Sequence, residues 1–175
     1  MAIFEAIITE RLILRPLNIN DIHEVHDYSG NADNTKYVTG LPSLNVEETQ
    51  EYLAWVVSEW NKDKPKYYAF AIILGGKIIG EIAFGNEPGT FEASIGWIIH
   101  RDYWNCGYAT EAAVAMKNHL FNSMSIVKLV SSCDVDNLAS RRIMQKLGMQ
   151  LQNENEPWEY RDGRISKSVT YCFKK

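Results

Sequence analysis

The chain has 175 residues, of which 46% are hydrophobic and 23% are charged. These proportions predict one globular domain over 1–175 with a substantial hydrophobic core. No apolar run approaches the length of a membrane span, so no membrane partner is expected. The first residues lack the basic and apolar regions of a signal peptide. Cys106, Cys133 and Cys172 are therefore expected to be free thiols in a reducing, cytoplasmic compartment.

The charge is unevenly distributed along the chain. The net charge of −4 argues against nucleic acid as a direct partner. Residues 1–100 contain 7 Lys or Arg and 14 Asp or Glu, whereas residues 101–175 contain 11 and 8. A basic half suits a polyphosphate and an acidic half suits a cationic substrate. The same asymmetry also arises by chance on solvated faces.

Local patterns in the first hundred residues predict a strand, two helices and three more strands. The predicted strands are 11–17, 67–74, 77–84 and 91–100, and the predicted helices are 19–29 and 46 to about 61. Asn18 or Asn20 is the expected cap of the first helix, and Asn45 with Glu48 forms a capping-box pattern at the second. Gly75-Gly76 indicates a hairpin.

The remaining residues predict a long helix, a strand, a short helix and a last hairpin. The predicted segments are a helix from 108 to about 122, a strand over 125–133, and a hairpin of 149–160 with 165–175. Asp136 or Asn137 is expected to cap the short helix, which ends at Gly148. The order β-α-α-β-β-β-α-β-α-β-β predicts an α/β (α+β) fold, with a mixed sheet and helices on both faces.

One stretch, residues 101–112, joins a buried strand to the long helix through a loop that contains Gly107. Free backbone N–H groups at a helix start, together with the helix dipole, bind anions. The stretch therefore predicts a site for a phosphate-bearing cofactor. The P-loop, the dinucleotide-binding glycine motif, metal-ligand spacing and the Gly-x-Ser-x-Gly elbow are all missing from the sequence. No metal is expected.

The sequence resembles the GNAT superfamily of acetyl-CoA-dependent N-acetyltransferases, and within it the ribosomal-protein alanine N-acetyltransferase branch. The resemblance rests on four segments in order, residues 9–16, 95–98, 103–112 and 137–149. It implies the GNAT fold, a mixed and mostly antiparallel sheet of about seven strands with about four helices on both faces. It also implies acetyl transfer from acetyl-CoA to a primary amine, either a protein N-terminus or a small amine. The oligomeric state stays open, a homodimer being one option.

The resemblance implies where coenzyme A would bind. The backbone amides expected to hold its pyrophosphate are those of Cys106, Gly107, Tyr108, Ala109 and Thr110. The strand ending at His100 would splay from the strand ending at Cys133, and the pantetheine arm would bond main-chain groups of Ile98 and His100. The N–H of Ile98 or Ile99 would donate to the thioester carbonyl.

Asn137 would bond the pantetheine arm, and Arg141 or Arg142 would reach the adenosine phosphate. The chain departs from the wider family at Trp104 and Cys106, where charged side chains are common. Phosphate binding is therefore expected to depend more on main-chain groups, with Arg101 as a further candidate.

The catalytic assignments leave alternatives open. Many relatives use a tyrosine as the acid that protonates the thiolate, but Met144 stands at that position. Ser140 is the candidate replacement, or simply a first-turn helix residue. Glu81 is the favoured base over Glu92, with a water-mediated route also open. Cys106 as an acylated nucleophile is disfavoured, because transfer in this family is direct.

The acceptor is expected to bind beside the loop from Tyr28 to Leu44 and the helix that follows it. Glu111 is expected to support the first turn of the long helix. A second hypothesis for the whole chain is a non-catalytic acyl-CoA-binding module of the same fold. The uncertain base and the missing tyrosine keep that alternative open.

Overall fold

The computed structural model describes residues 5–175, which form an eight-stranded sheet with helices on both faces. The strands are β1 (Ile7–Ile8), β2 (Leu12–Pro16), β3 (Tyr67–Leu74), β4 (Lys77–Gly85), β5 (Glu92–Ile99), β6 (Lys128–Asp134), β7 (Gln150–Glu159) and β8 (Ile165–Lys174). The helices are α1 (Ile22–Ser29), α2 (Val46–Trp60), α3 (Tyr108–Ser123) and α4 (Leu138–Lys146). The strand order is β1-β2-β3-β4-β5-β6-β8-β7. Only the β5–β6 pair is parallel within the described residues.

The predicted mixed, mostly antiparallel sheet and the predicted order of elements are confirmed. The difference is β1, a two-residue strand that pairs Ile7 with Leu14 of β2 and raises the strand count from about seven to eight. Two residues are too few to show the alternation by which a strand is recognised in a sequence.

Asparagine side chains begin three of the helical segments. Asn18 caps a short 3₁₀ turn, Ile19–Asp21, that leads into α1. The side chain of Asn45 accepts the amide of Glu48 at 2.9 Å, but the Glu48 carboxylate accepts from Leu44 rather than returning to Asn45, so only half of the predicted capping box forms. Asn137, not Asp136, caps α4. Within residues 5–175 no helix is long and apolar enough to cross a membrane.

The two faces of the sheet are filled differently. On one face large side chains of β3 and β4, including Phe70, Ile82 and Phe84, pack with residues of α3 and α4. On the other face Ala69, Ala71 and Ala83 pack with residues of α1 and α2. Successive strand residues point to opposite faces, so Glu81 lies on the same face as Ala83. The small alanines leave space beneath α1 and α2, and this space forms part of the cavity described below.

Candidate functional site

The site begins where β5 and β6 separate. The two strands pair at three positions, of which the last is Ser94 with Val130. Beyond that position β5 stays paired with β4, and β6 stays paired with β8. The Ser131 hydroxyl donates to the Ile95 carbonyl at 2.8 Å where the strands begin to part. The predicted splaying of these strands is therefore confirmed.

The pairing of β5 with β4 decides which backbone groups face the gap. The His100 amide donates to the Ile79 carbonyl at 2.8 Å. In an antiparallel ladder, directly opposite residues alternate between pairs that exchange hydrogen bonds and pairs that do not. Ile98, which lies opposite Glu81, therefore also turns its N–H and C=O groups towards β4. The prediction that main-chain groups of Ile98 and His100 face the gap is wrong.

Trp97 and Ile99 are the residues whose backbone groups point away from β4. The Trp104 indole N–H donates to the Ile99 carbonyl at 2.7 Å, which shows the outward direction of that group. A ligand in the gap would therefore meet Trp97 and the amide of Ile99. Of the two amides predicted to face the thioester carbonyl, only that of Ile99 has the required direction.

The start of α3 presents unpaired amides. Gly107 is its N-cap residue, with φ +84°, and no side chain among residues 5–175 caps the helix. The first intrahelical bond runs from the Glu111 amide to the Gly107 carbonyl at 3.0 Å, so the amides of the residues between them have no acceptor one turn earlier. A Cβ on Gly107 would meet only Arg11 Nη2, at 3.5 Å. The left-handed backbone, rather than crowding within the chain, therefore favours glycine here.

Glu111 anchors this helix start to the turn between β1 and β2. Its carboxylate accepts from the Thr9 hydroxyl at 2.6 Å, the Arg11 amide at 2.9 Å and the Arg11 guanidinium at 2.7 Å. Burial opposes ionisation, but these hydrogen bonds prevail and lower the pKa of Glu111. Arg11 also donates to the Cys106 carbonyl at 3.1 Å. The contacts fit the predicted support role, and they identify Arg11 as a cation beside Gly107 that sequence analysis missed.

The other predicted cations and the cysteine lie near the surface. Arg101 lies 3.4 Å from Asp33. Arg141 donates to the Val135 carbonyl at 3.2 Å, while Arg142 is exposed. Cys106 is exposed, and its thiol contacts the Trp104 carbonyl at 3.4 Å.

The start of α4 faces the gap. The Asn137 side chain accepts the Ser140 amide at 3.1 Å. The Ser140 hydroxyl makes no hydrogen bond to the described part of the chain, so it is available to a ligand. Met144 is 1% exposed and reaches the same cavity. The helix therefore offers one hydroxyl and no phenol to a bound molecule.

A cavity of about 1020 Å³ extends from the gap to the space beneath α1 and α2. Four of the predicted site residues line it: Glu81, Ile98, Asn137 and Ser140. The remaining predicted residues lie outside its lining: Ile99, His100, Cys106, Gly107, Tyr108, Ala109, Thr110 and Arg142. The structure thus brings together the predicted base, the predicted acid and the gap, while the α3 amides form a separate surface.

Glu81 is a buried carboxylate held by tyrosines. It is 7% exposed, and it accepts from the Tyr52 hydroxyl at 2.5 Å and the Tyr28 hydroxyl at 3.2 Å. The Tyr67 hydroxyl lies 3.4 Å from that of Tyr52. Burial raises the pKa of Glu81 above its ordinary value, and the tyrosine hydrogen bonds oppose that rise without cancelling it. Burial also raises the pKa values of Tyr28 and Tyr52, so both remain protonated donors.

Glu92, the alternative base, lies elsewhere. It is exposed at the start of β5 and is bonded to Lys128 at 2.7 Å, outside the cavity lining. The three tyrosines around Glu81 were missed because they come from α1, α2 and β3. Their convergence depends on tertiary packing, for which the sequence carries no local pattern.

The loop over residues 30–45 forms a wall of the cavity and is fastened at both ends. Arg161 lies in the β7–β8 turn, and its guanidinium donates to the Glu48 carboxylate at 2.6 and 2.7 Å. The backbone amide of Arg161 donates to the Thr39 carbonyl at 2.9 Å. The Arg101 amide donates to the Asn34 side chain at 2.6 Å. The Arg161 bond lowers the pKa of Glu48 to about 2. The acceptor side is therefore braced by the last hairpin.

Comparison with known proteins gives consistent matches. The family profile described as acetyltransferase (GNAT) domain matches residues 11–150. YnaD of Bacillus subtilis (strain 168), an uncharacterized N-acetyltransferase, is 32% identical over 146 residues, covering 82% of this chain and 81% of that protein. The crystal structure of a GNAT-family acetyltransferase from Bacillus anthracis is similar with a TM-score of 0.83 and 27% identity, covering 97% of this chain and 98% of that one.

RimL, described as a ribosomal L7/L12 alpha-N-protein acetyltransferase in complex with coenzyme A, has the same fold, with a TM-score of 0.86 and 20% identity over 97% of this chain and 98% of that chain. At this identity the similarity shows a shared fold. The profile match spans most of the chain, and the YnaD match adds a relative above 30% identity. The family resemblance seen in the motifs is confirmed. The chain belongs to the GNAT family of acetyltransferases.

Proposed function

We propose that this acetyltransferase transfers an acetyl group from acetyl-CoA to a primary amine by direct attack of the amine on the thioester. The observation that carries the proposal is a single cavity that joins the β5–β6 gap to the buried carboxylate of Glu81. Such an arrangement provides room for an extended thioester at one end and a proton acceptor at the other. A protein N-terminus and a small amine both satisfy this chemistry.

The residues present fit coenzyme A. The amides at the start of α3 and the positive end of its dipole suit a pyrophosphate, with Arg11 nearby as a cation. In the gap, the outward-facing groups of Trp97 and Ile99 suit the amides of a pantetheine arm. The Asn137 side-chain nitrogen is a further donor, because only its oxygen is used to cap α4. The complex of RimL with coenzyme A supports this assignment.

Glu81 is the proposed general base. A primary ammonium has a pKa of about 10 in an alkylamine or about 8 in an α-amine, and it must lose a proton before it attacks. The Glu81 carboxylate, oriented by Tyr28 and Tyr52, accepts that proton directly or through a water. Its raised pKa improves the match to proton transfer near neutral pH. Glu81 lies opposite Ile98 in the ladder, so the carboxylate sits beside the strand that would hold the thioester.

The nitrogen lone pair then forms a bond to the thioester carbon, and the C–S bond breaks with its electron pair on sulfur. A backbone N–H that points into the gap, that of Ile99 or Trp97, stabilises the carbonyl oxygen as it becomes negative. The leaving thiol has a pKa of about 8.5, so its thiolate needs little acid assistance. The bonded nitrogen then gives up its second proton, which passes through the Ser140 hydroxyl or a water to the thiolate, so that the amide and the free thiol form.

The alternative is a module that binds acyl-CoA without turnover. Met144 favours it, since a thioether cannot protonate a leaving thiolate at the position where many relatives carry a tyrosine. Release of free thiol from acetyl-CoA, measured with a panel of peptides and small amines, separates the two functions. Acetylation of any primary amine supports the enzyme.

Thermal unfolding with and without coenzyme A measures binding independently of turnover. At a ligand concentration 100 times its Kd, the stabilisation is about 2.7 kcal/mol. Stabilisation without release for every amine would establish the module. Stabilisation by ATP or NAD but not by coenzyme A would contradict both functions.

A further inference from the structure

We infer that the acceptor is a compact primary amine with an apolar, preferably aromatic, body and no carboxylate on the carbon that bears its nitrogen. The inference rests on the proposed function and specifies its substrate class. It follows from four properties of the acceptor end of the cavity: its aromatic lining, its charges, its unpaired neutral groups and its fixed wall.

Several aromatic side chains line the acceptor end of the cavity. Tyr28, Tyr52 and Tyr67 surround Glu81, and Tyr37 and Trp158 also contribute to the lining. Aromatic faces attract a cation and also bury an apolar body at low entropic cost. A ligand that combines an ammonium with a hydrocarbon or aromatic body uses both properties. A highly polar ligand such as a sugar would use neither of them well.

The charges at this end exclude an anionic group on the ligand. Among the described residues that line the cavity, Arg161 is the only lysine or arginine, and its guanidinium is bonded twice to Glu48. The other charged groups are Glu51 and Glu81, both negative. A carboxylate on the ligand would be buried without a cation and would face these two carboxylates, which is strongly unfavourable. An ammonium has favourable interactions with both.

Two neutral polar groups on the wall lack partners. The buried Ser29 hydroxyl and the Trp158 indole N–H make no hydrogen bond to any described residue, and both residues line the cavity. Buried polar groups are normally satisfied, so unpaired ones beside a cavity suit a neutral acceptor atom on a ligand. A hydroxyl, ether or amide oxygen meets that need without adding a charge.

The wall limits the size of the acceptor. Arg161 binds Thr39, Pro42 and Glu48, and so fastens the loop over residues 30–45 to the last hairpin. The loop contributes Tyr37 and the residues after it to the lining. A small amine can be enclosed by this wall, whereas the N-terminus of a protein also needs a path out of the cavity for the chain that follows it.

The test compares three acceptors that differ only at the carbon beside the amine: phenethylamine, phenylalaninamide and phenylalanine. We expect kcat/KM for phenethylamine to exceed that for phenylalanine by roughly 100-fold, the effect of an unpaired buried charge. Phenylalaninamide, which is equally bulky but has no carboxylate, is expected within about tenfold of phenethylamine. Equal or greater activity with phenylalanine would overturn the inference. A dipeptide amide that surpasses phenethylamine would overturn its compactness.

A charge reversal tests the electrostatic argument. Glu51 is exposed on α2 and lines the cavity, whereas Glu47 is exposed on the same helix and does not. Glu51→Lys is expected to lower the phenethylamine-to-phenylalanine ratio by roughly tenfold, the effect of one nearby charge, while Glu47→Lys leaves the ratio within about twofold. An unchanged ratio in both variants would refute the argument. Failure to acetylate any amine despite coenzyme A binding would instead refute the proposed function.

Discussion

Replacing Glu81 with glutamine tests the base while it preserves the shape of the pocket. The two carboxylate oxygens accept separately, one from Tyr28 at 3.2 Å and the other from Tyr52 at 2.5 Å. Glutamine retains one acceptor oxygen, and its NH₂ group donates to the other hydroxyl, which can rotate to accept. We therefore expect a stability change of about 1 kcal/mol or less and unchanged stabilisation by coenzyme A.

The effect on rate should be much larger and should depend on pH. A positioned base contributes about 10²–10⁴-fold, so Glu81→Gln should lower kcat/KM by that factor near pH 7. In the wild type, activity rises with pH until Glu81 ionises, at a pKa that burial has raised above its ordinary value. In the variant only amine that is already neutral can react, about 10⁻³ of the total at pH 7 for a pKa near 10. That fraction grows about tenfold per pH unit up to the pKa of the amine, so the defect should shrink steadily from pH 7 to pH 10.

Free thiol release at saturating acetyl-CoA, followed from pH 5 to pH 10, measures this profile. Glu92→Gln is the matched control, because Glu92 is exposed and bonded to Lys128 outside the cavity. Its activity should stay within about twofold of wild type, as for a surface ion pair. A Glu81→Gln variant that retains more than half of the wild-type rate at pH 7 would refute the assignment of Glu81. So would a defect that is constant across the pH range.

Three further substitutions test the other parts of the site. Gly107→Val should abolish thermal stabilisation by coenzyme A. Gly89→Val is the control, because Gly89 has a similar φ of +85° in a turn away from the cavity; it should cost a similar backbone strain of about 1–2 kcal/mol but keep the stabilisation by coenzyme A. Equal stabilisation of both variants by coenzyme A would place the phosphate elsewhere. Cys106→Ala should retain most activity in the thiol-release assay, and near-total loss would indicate an acylated cysteine. Ser140→Ala should lower kcat less than about tenfold, because the leaving thiolate needs little acid assistance; a larger loss at unchanged KM would make Ser140 an essential acid.

The fold could be predicted from the sequence wherever a signal is local. Gly75-Gly76 forms the turn between β3 and β4, and Asn137 caps α4. Gly148 adopts the left-handed conformation, φ +77°, that often follows a helix end. Each signal acts over a few residues through backbone geometry. The splaying of β5 from β6 was also predicted, through the resemblance of the surrounding motifs.

The direction of the β5 backbone could not be predicted in this way. Which residues face the gap depends on the phase of the β4–β5 ladder, and that phase follows from inter-strand register. The β3–β4 register shifts after Ile72, which pairs with Gly80. Ile73 then pairs with Ile78, so Ile79 of β4 has no opposite residue on β3. Nothing in the sequence near Ile98 records that phase. The predicted residues, Ile98 and His100, are therefore each displaced by one position from Trp97 and Ile99, whose backbone groups point away from β4.

The surroundings of Glu81 depend on distance in the chain. Tyr28 lies 53 residues before it and Tyr52 lies 29 before it, while the Arg161–Glu48 bond joins residues 113 apart. Alternation placed Glu81 on a strand but left its exposure undecided. Burial under α1 and α2 decided it, because the alanines on the same face let the helices cover the carboxylate.

The two faces of the sheet therefore contribute differently to the site. On the α3–α4 face, large side chains such as Phe70 and Phe84 fill the core and leave the gap as the main opening between β5 and β6. On the α1–α2 face, small residues such as Ala83 leave a volume that tyrosines line rather than fill. A buried carboxylate in that volume loses water and must be stabilised by fixed donors, which the tyrosine hydroxyls provide. The same hydroxyls oppose the rise in pKa caused by burial, so Glu81 combines ionisation with enough basicity to accept a proton from an ammonium.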